Sequence, residues 1–134
     1  NIFNNFFGSF IRSYEHEKLL GSTHMIISFL IISLFFNKTI VIASMLICII
    51  SDAFAAIFGI KYGRLKTINN KTLEGSYAFL LSTIIILFSA NFNLTFSEVF
   101  IISYFITMIE SLTPMEYDNF TVPLFSSIFL YNIL

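Results

Sequence analysis

The sequence predicts an all-α fold: a polytopic bundle of about five transmembrane helices, forming one integral-membrane domain over residues 1–134. Three observations predict it. The chain is 57% hydrophobic and 11% charged, with a mean hydropathy of +0.86, whereas a water-soluble domain carries about 25% charged residues. One apolar run, residues 40–60 (IVIASMLICIISDAFAAIFGI), has the length of a bilayer crossing. The basic residues fall on alternate loops, as the positive-inside rule requires of a chain that crosses a membrane repeatedly.

The helices are placed by apolar runs of about 17–25 residues. They are expected over residues 19–36, 40–60, 76–90, 94–112 and 121–134, with residues 2–11 as the tail of an earlier helix. The third and fifth runs are short. The chain starts at Asn1 rather than Met and stops within an apolar run, which suggests a fragment or an N-terminally trimmed chain. Residues 1–10 lack the basic, apolar and small-residue regions of a signal peptide. Neither an internal repeat nor a linker divides the chain. Its one cysteine, Cys48, permits no intrachain disulfide and reads as a small apolar helix residue.

Sidedness follows from helix alternation. Arg12, Lys18, Lys61, Arg64, Lys66 and Lys71 share one face and Lys38 lies on the other, so the first face is expected to be cytoplasmic. Most ionisable residues gather there: Glu15, His16, Asp52, Glu74, Glu110, Glu116 and Asp118, with the polar Asn119. Chemistry confined to one face suits a soluble co-substrate and a lipid partner. A transporter would place such groups nearer the bilayer midplane.

Four constellations stand out. Asp52 interrupts the clearest apolar run, where a charge costs about 2.5–3.5 kcal/mol on insertion scales. It reads either as an interhelical hydrogen-bond or ion-pair partner, or as a Mg²⁺ ligand, since Mg²⁺ takes one or two carboxylates and completes its shell with phosphate oxygens. Small residues follow at 53, 55, 56, 59 and 63, with Lys61 and Arg64 among them. They permit close approach of a helix or ligand, and the basic residues either anchor the membrane edge or hold phosphates. Next, Lys71-Thr72-Leu73-Glu74-Gly75-Ser76 enters the third helix. A helix start is an anion site in principle; the plainer reading is a Thr72 N-cap with Glu74 in the first turn. Third, Glu110 precedes Pro114, Glu116 and Asp118-Asn119. Asp118 is either a helix cap or a second metal ligand or general base, with Asn119 beside it. Finally, Gly21-Ser22-Thr23 marks a helix entrance. His16 and His24 have no partner at zinc spacing, so no zinc site is expected.

In this order the four stretches resemble the CTP-dependent membrane lipid kinases, a family that includes dolichol kinase, phytol kinase and the yeast-type diacylglycerol kinase, with members often labelled phosphatidate cytidylyltransferase-like. Residues 17–23 (EKLLGST) look like the family's K-x-x-G-S-x segment. Residues 51–64 (SDAFAAIFGIKYGR) look like (G/S)-D-x-x-A-x-x-x-G-x-x-(F/Y)-G, and residues 71–76 (KTLEGS) like K-(T/S)-x-E-G-S. Glu110 with residues 118–124 (DNFTVPL) looks like E…D-N-x-(T/V)-(V/I)-P-L. The G-H-G-G and D-R-x-D stretches of the related CDP-diacylglycerol synthases are absent from this sequence. The family carries further helices before the position of Arg12.

The resemblance implies transfer of the terminal phosphate of a nucleotide, CTP, to the hydroxyl of a membrane lipid alcohol: a polyprenol, phytol or diacylglycerol. It implies Mg²⁺ or another divalent cation at Asp52 and Asp118, supported by Glu110. Lys61, Arg64 and Lys71 would hold phosphates, with Thr72, Glu74, Gly75, Ser76 and Asn119 beside them, and Asp118 would activate the hydroxyl. The partners are CTP, the lipid and the bilayer; no nucleic acid is expected. Phosphatidate cytidylyltransferase activity and a non-catalytic membrane subunit or transporter fragment are the alternatives.

Overall fold

A computed structural model describes residues 21–90 and 92–134. The expected tail over residues 2–11 and the residues Arg12, Glu15, His16, Glu17 and Lys18 lie outside the described residues. The fold is all-α. Among the described residues there are five helices and no strand: α1 (Gly21–Phe35), α2 (Lys38–Tyr62), α3 (Leu73–Ser89), α4 (Phe96–Leu112) and α5 (Asp118–Ile133). One of them, α2, with 25 residues, is long and apolar enough to cross a membrane, while α1 and α3 are shorter apolar helices. Helix α5 packs against α1, α2 and α4, and α3 against α2 and α4.

Local chemistry sets the ends. Thr72 caps α3 by accepting the Gly75 N–H at 3.2 Å, so the helix starts at Leu73, ahead of the apolar run at residue 76. Thr95 and Glu98 form a reciprocal capping box at α4: Glu98 Oε2 accepts the Thr95 N–H at 2.8 Å, and Thr95 Oγ1 accepts the Glu98 N–H at 3.4 Å. Glu98 is thus accounted for as a cap.

Helix α2 contains a π turn, Ile47–Ser51. The one extra residue rotates everything after it by about 100° relative to a regular helix. Asp52 follows immediately.

The interior is small and partly polar. Phe79, Ile32, Ile47, Ile102, Ile106 and Leu130 are fully buried, and so are Ser28, Ser44, Ser51, Thr83, Ser103, Ser126 and Ser127. Several of these hydroxyls join helices: Ser127 donates to Ser44 at 2.9 Å and Thr83 to Ser51 at 3.1 Å. The exterior is large and apolar, with Ile60 88%, Leu34 80%, Phe35 74% and Phe96 69% exposed.

Pro123 lies inside α5. It has no N–H to give the carbonyl four residues back, which belongs to Asn119. Ser28 on α1 takes over, its Oγ donating to Asn119 O at 3.1 Å while also reaching Met25 O at 2.9 Å. Proline on one helix thereby creates an acceptor for serine on another. Ser28→Ala is expected to cost about 1 kcal/mol, the low end of the penalty for a stranded carbonyl, because Asn119 is only partly buried. In a Pro123→Ala background the restored N–H satisfies that carbonyl and the cost of Ser28→Ala shrinks. Thermal unfolding of the two single variants and the double variant checks the coupling.

Candidate functional site

The segment between α2 and α3 folds back on itself. Lys66 pairs with Thr72 in an antiparallel bridge, the Thr67 N–H donates to Lys71 O at 2.7 Å, and the Leu73 N–H donates to Leu65 O at 3.0 Å. Asn69 and Asn70, at φ 62° and 61°, make the reversal in the left-handed region, which asparagine tolerates better than other side-chain-bearing residues. Asn69 Nδ2 donates to Leu112 O at 3.0 Å, satisfying one of the orphan carbonyls at the end of α4. This small hairpin fixes where Lys71 enters the bundle.

Helices α2 and α3 meet almost backbone to backbone beside it. A Cβ on Gly75 would lie 2.9 Å from Ala55 O and 3.0 Å from Thr72 Oγ1, and one on Gly59 2.9 Å from Thr72 Oγ1. The small residues at 55, 59 and 75 are what allow this approach.

The polar end of this seam opens into a cavity of about 320 Å³. Its wall combines Asp52, Lys71, Thr72, Gly75, Ser76, Glu110 and Asp118 with apolar Ala55, Ala56, Ile60 and Met115. Residues from α2, the hairpin, α3, α4 and α5 therefore meet at one place. Lys71 is buried and donates to Glu110 O at 2.6 Å and to Glu110 Oε1 at 2.7 Å, with Asp118 Oδ2 at 3.5 Å. Glu110 and Asp118 are themselves only 4% and 6% exposed. Two carboxylates thus share one ammonium, and Asp52 lines the same cavity. Asp118, which precedes the apolar segment at 121–134, has its carboxyl pushed up to about 6, first by burial and further by the charges of Asp52 and Glu110, against the pull of Lys71. A divalent cation between these acids would relieve that excess of negative charge. Among the described residues no group of three or more His, Cys, Asp or Glu is arranged to hold a metal ion. A pair of carboxylates completed by phosphate oxygens is nevertheless a usual Mg²⁺ arrangement.

Other predicted site residues stand elsewhere. Lys61 and Arg64 are exposed and do not line the cavity; Lys61 Nζ lies 5.2 Å above the Tyr62 ring. Glu74 turns to the hairpin, its Oε1 accepting the N–H groups of Arg64 at 3.0 Å and Leu65 at 3.4 Å. Hydrogen bonds from its own backbone N–H and then from those of Arg64 and Leu65 lower its pKa. Glu74 therefore fastens the loop. Asn119 faces a small neighbouring void shared with Cys48 and Phe79, and its Oδ1 accepts the Cys48 thiol at 3.6 Å. Thr72 has its plainer role as an N-cap and lines the cavity as well. Lys71, expected to be a phosphate ligand, is held by two acids instead. Asn70 lines the cavity without having been expected there; the Asn-Asn doublet in a basic loop is the turn signal that marks it.

The fold and the site define an all-α chain with an acid-rich cavity at one end of the bundle. No family model matches the chain, and no solved structure matches it. It is similar to an uncharacterized protein of Rickettsia prowazekii (strain Madrid E), 35% identical over 130 residues that take in 89% of this chain and 62% of the relative. The chain thus spans less than two thirds of that relative's length.

Proposed function

We propose that this chain forms the membrane-embedded site of a CTP-dependent kinase of lipid alcohols. One observation carries the reading: a single cavity places three carboxylates and a lysine against a wall of Ala55, Ala56, Ile60 and Met115. A lipid alcohol has the same division, a reacting hydroxyl on an apolar chain. The resemblance in sequence to the CTP-dependent lipid kinases supplies the nucleotide and the reaction.

A multi-pass membrane location is supported by the inverted packing of the bundle. Large apolar side chains cover its outside while serines and threonines join its helices, the pattern expected where lipid replaces water as the solvent. In water such a surface would promote association. Helices α3, α4 and α5 have 17, 17 and 16 residues, short of the ~20 that span a bilayer core. A thinned bilayer or snorkelling flanks accommodate that mismatch. The cavity then lies near the edge of the bilayer on the basic, cytoplasmic side.

In this reading Asp52 and Asp118 would hold a Mg²⁺ ion, which would supply neutralisation of the phosphate charge. The lipid hydroxyl oxygen attacks the terminal phosphorus of CTP, the bond from that phosphorus to the bridging oxygen breaks, and CDP leaves. The hydroxyl proton passes to Asp118, a carboxylate in the same cavity wall. Phosphoryl transfer asks mostly for positioning and charge neutralisation. Thr72, Gly75 and Ser76 put the start of α3 beside the phosphates. Lys61 and Arg64, outside the cavity, draw the nucleotide to this face electrostatically.

The test is product analysis. The chain in lipid nanodiscs is supplied with CTP, Mg²⁺ and, separately, a polyprenol, phytol or diacylglycerol. A phosphorylated lipid and CDP are expected. Pyrophosphate and a CDP-lipid formed from phosphatidate would replace the kinase by a cytidylyltransferase, and no turnover with any acceptor would overturn both.

A further inference from the structure

Among the described residues Lys71 is the one cation lining the cavity, and its environment assigns it a task other than phosphate binding. An ammonium has three N–H donors. Three acceptors surround this one: Glu110 O at 2.6 Å, Glu110 Oε1 at 2.7 Å and Asp118 Oδ2 at 3.5 Å. A phosphate oxygen would have to displace one of them, and displacing Glu110 would leave a buried carboxylate unpaired. The backbone holds Lys71 in place too, because its carbonyl accepts from Thr67 within the hairpin and the hairpin is tied to the end of α4 through Asn69.

We infer that Lys71 is a positioning residue: it clamps Glu110 and steadies Asp118, and its charge restrains the affinity of the cavity for a divalent cation. This rests on the cation-site reading above. The sign of the effect separates it from a phosphate ligand. Removing a phosphate ligand weakens nucleotide binding and leaves metal binding alone. Removing an internal counter-ion takes one positive charge from beside Glu110 and Asp118, so a divalent cation binds more tightly.

The experiment is a titration of the nanodisc-embedded chain with Mn²⁺ in the absence of nucleotide, read as loss of the free Mn²⁺ signal in electron paramagnetic resonance. Lys71→Met is expected to tighten Mn²⁺ binding by about tenfold or more, the scale of one unit charge a few ångströms away in a partly buried site. Lys71→Met with Glu110→Gln removes both charges and is expected to return the affinity to within about threefold of the parent, as the Coulomb balance is restored. Unchanged Mn²⁺ affinity in Lys71→Met, together with weaker CTP binding, would overturn the inference. Thermal midpoints separate its failure from that of the cation site. If the parent chain binds no Mn²⁺ at millimolar concentration, the cation site is wrong, yet a double variant that regains the midpoint lost by Lys71→Met still establishes the clamp. A double variant no more stable than Lys71→Met, or unable to fold, rejects the clamp.

Discussion

Asp52→Asn is expected to slow lipid phosphorylation by about 10²–10³-fold, the loss typical when one preorganised electrostatic group is removed from a transition state, while the thermal midpoint moves by no more than a few degrees. The substitution keeps shape and removes charge. Asp52 is partly exposed in the cavity wall, at the first turn after the π turn. Its charge does reach Asp118, whose pKa it raises. On the proposed reading the variant loses a metal ligand, and it also loses part of the field that acts on Asp118. Initial rates of labelled phosphate transfer from CTP, measured beside a melting curve, decide the matter. A near-normal rate rejects the metal role of Asp52, and a collapsed midpoint makes the carboxylate structural.

Glu110→Leu is expected to have the largest effect on stability. It leaves the Lys71 ammonium buried with Asp118 at 3.5 Å as its remaining ionic partner among the described residues. Breaking a buried pair from one side costs about 3–5 kcal/mol. That is a large share of the ~5–15 kcal/mol that holds a typical domain together. Adding Lys71→Met should recover most of the loss, since a buried pair replaced by apolar side chains is often neutral. Denaturation of the single and double variants in the same lipid environment measures this; a single variant as stable as the parent would show that the pair contributes little.

These two expectations differ in how far the sequence foretold them. A carboxylate in a membrane-length apolar run is conspicuous on composition alone, and Asp52 does line the cavity. Glu110 and Asp118 were legible for the same reason, as acids at the ends of apolar segments. The role of Lys71 was not. It depends on partners 39 and 47 positions away, and a basic residue in a basic loop looks alike whether it faces water, phosphate or a buried acid. Lys61, Arg64 and Glu74 were grouped with it by proximity in the chain. The hairpin then carried Lys71 inward, left Lys61 and Arg64 exposed, and turned Glu74 to its own loop.

By itself the sequence determined the helical class, the five apolar segments and the end of the bundle on which the acids collect. Each of these is a property of consecutive residues: hydropathy over a turn or more, a capping hydroxyl, a proline, the sign of a loop. The tertiary structure alone decided which acids share the lysine, that the π turn precedes Asp52, and that Ser28 answers the carbonyl freed by Pro123. Those outcomes depend on which faces of distant helices meet. Side-chain ionic and hydrogen bonds form within about 3 Å, a range that only packing sets.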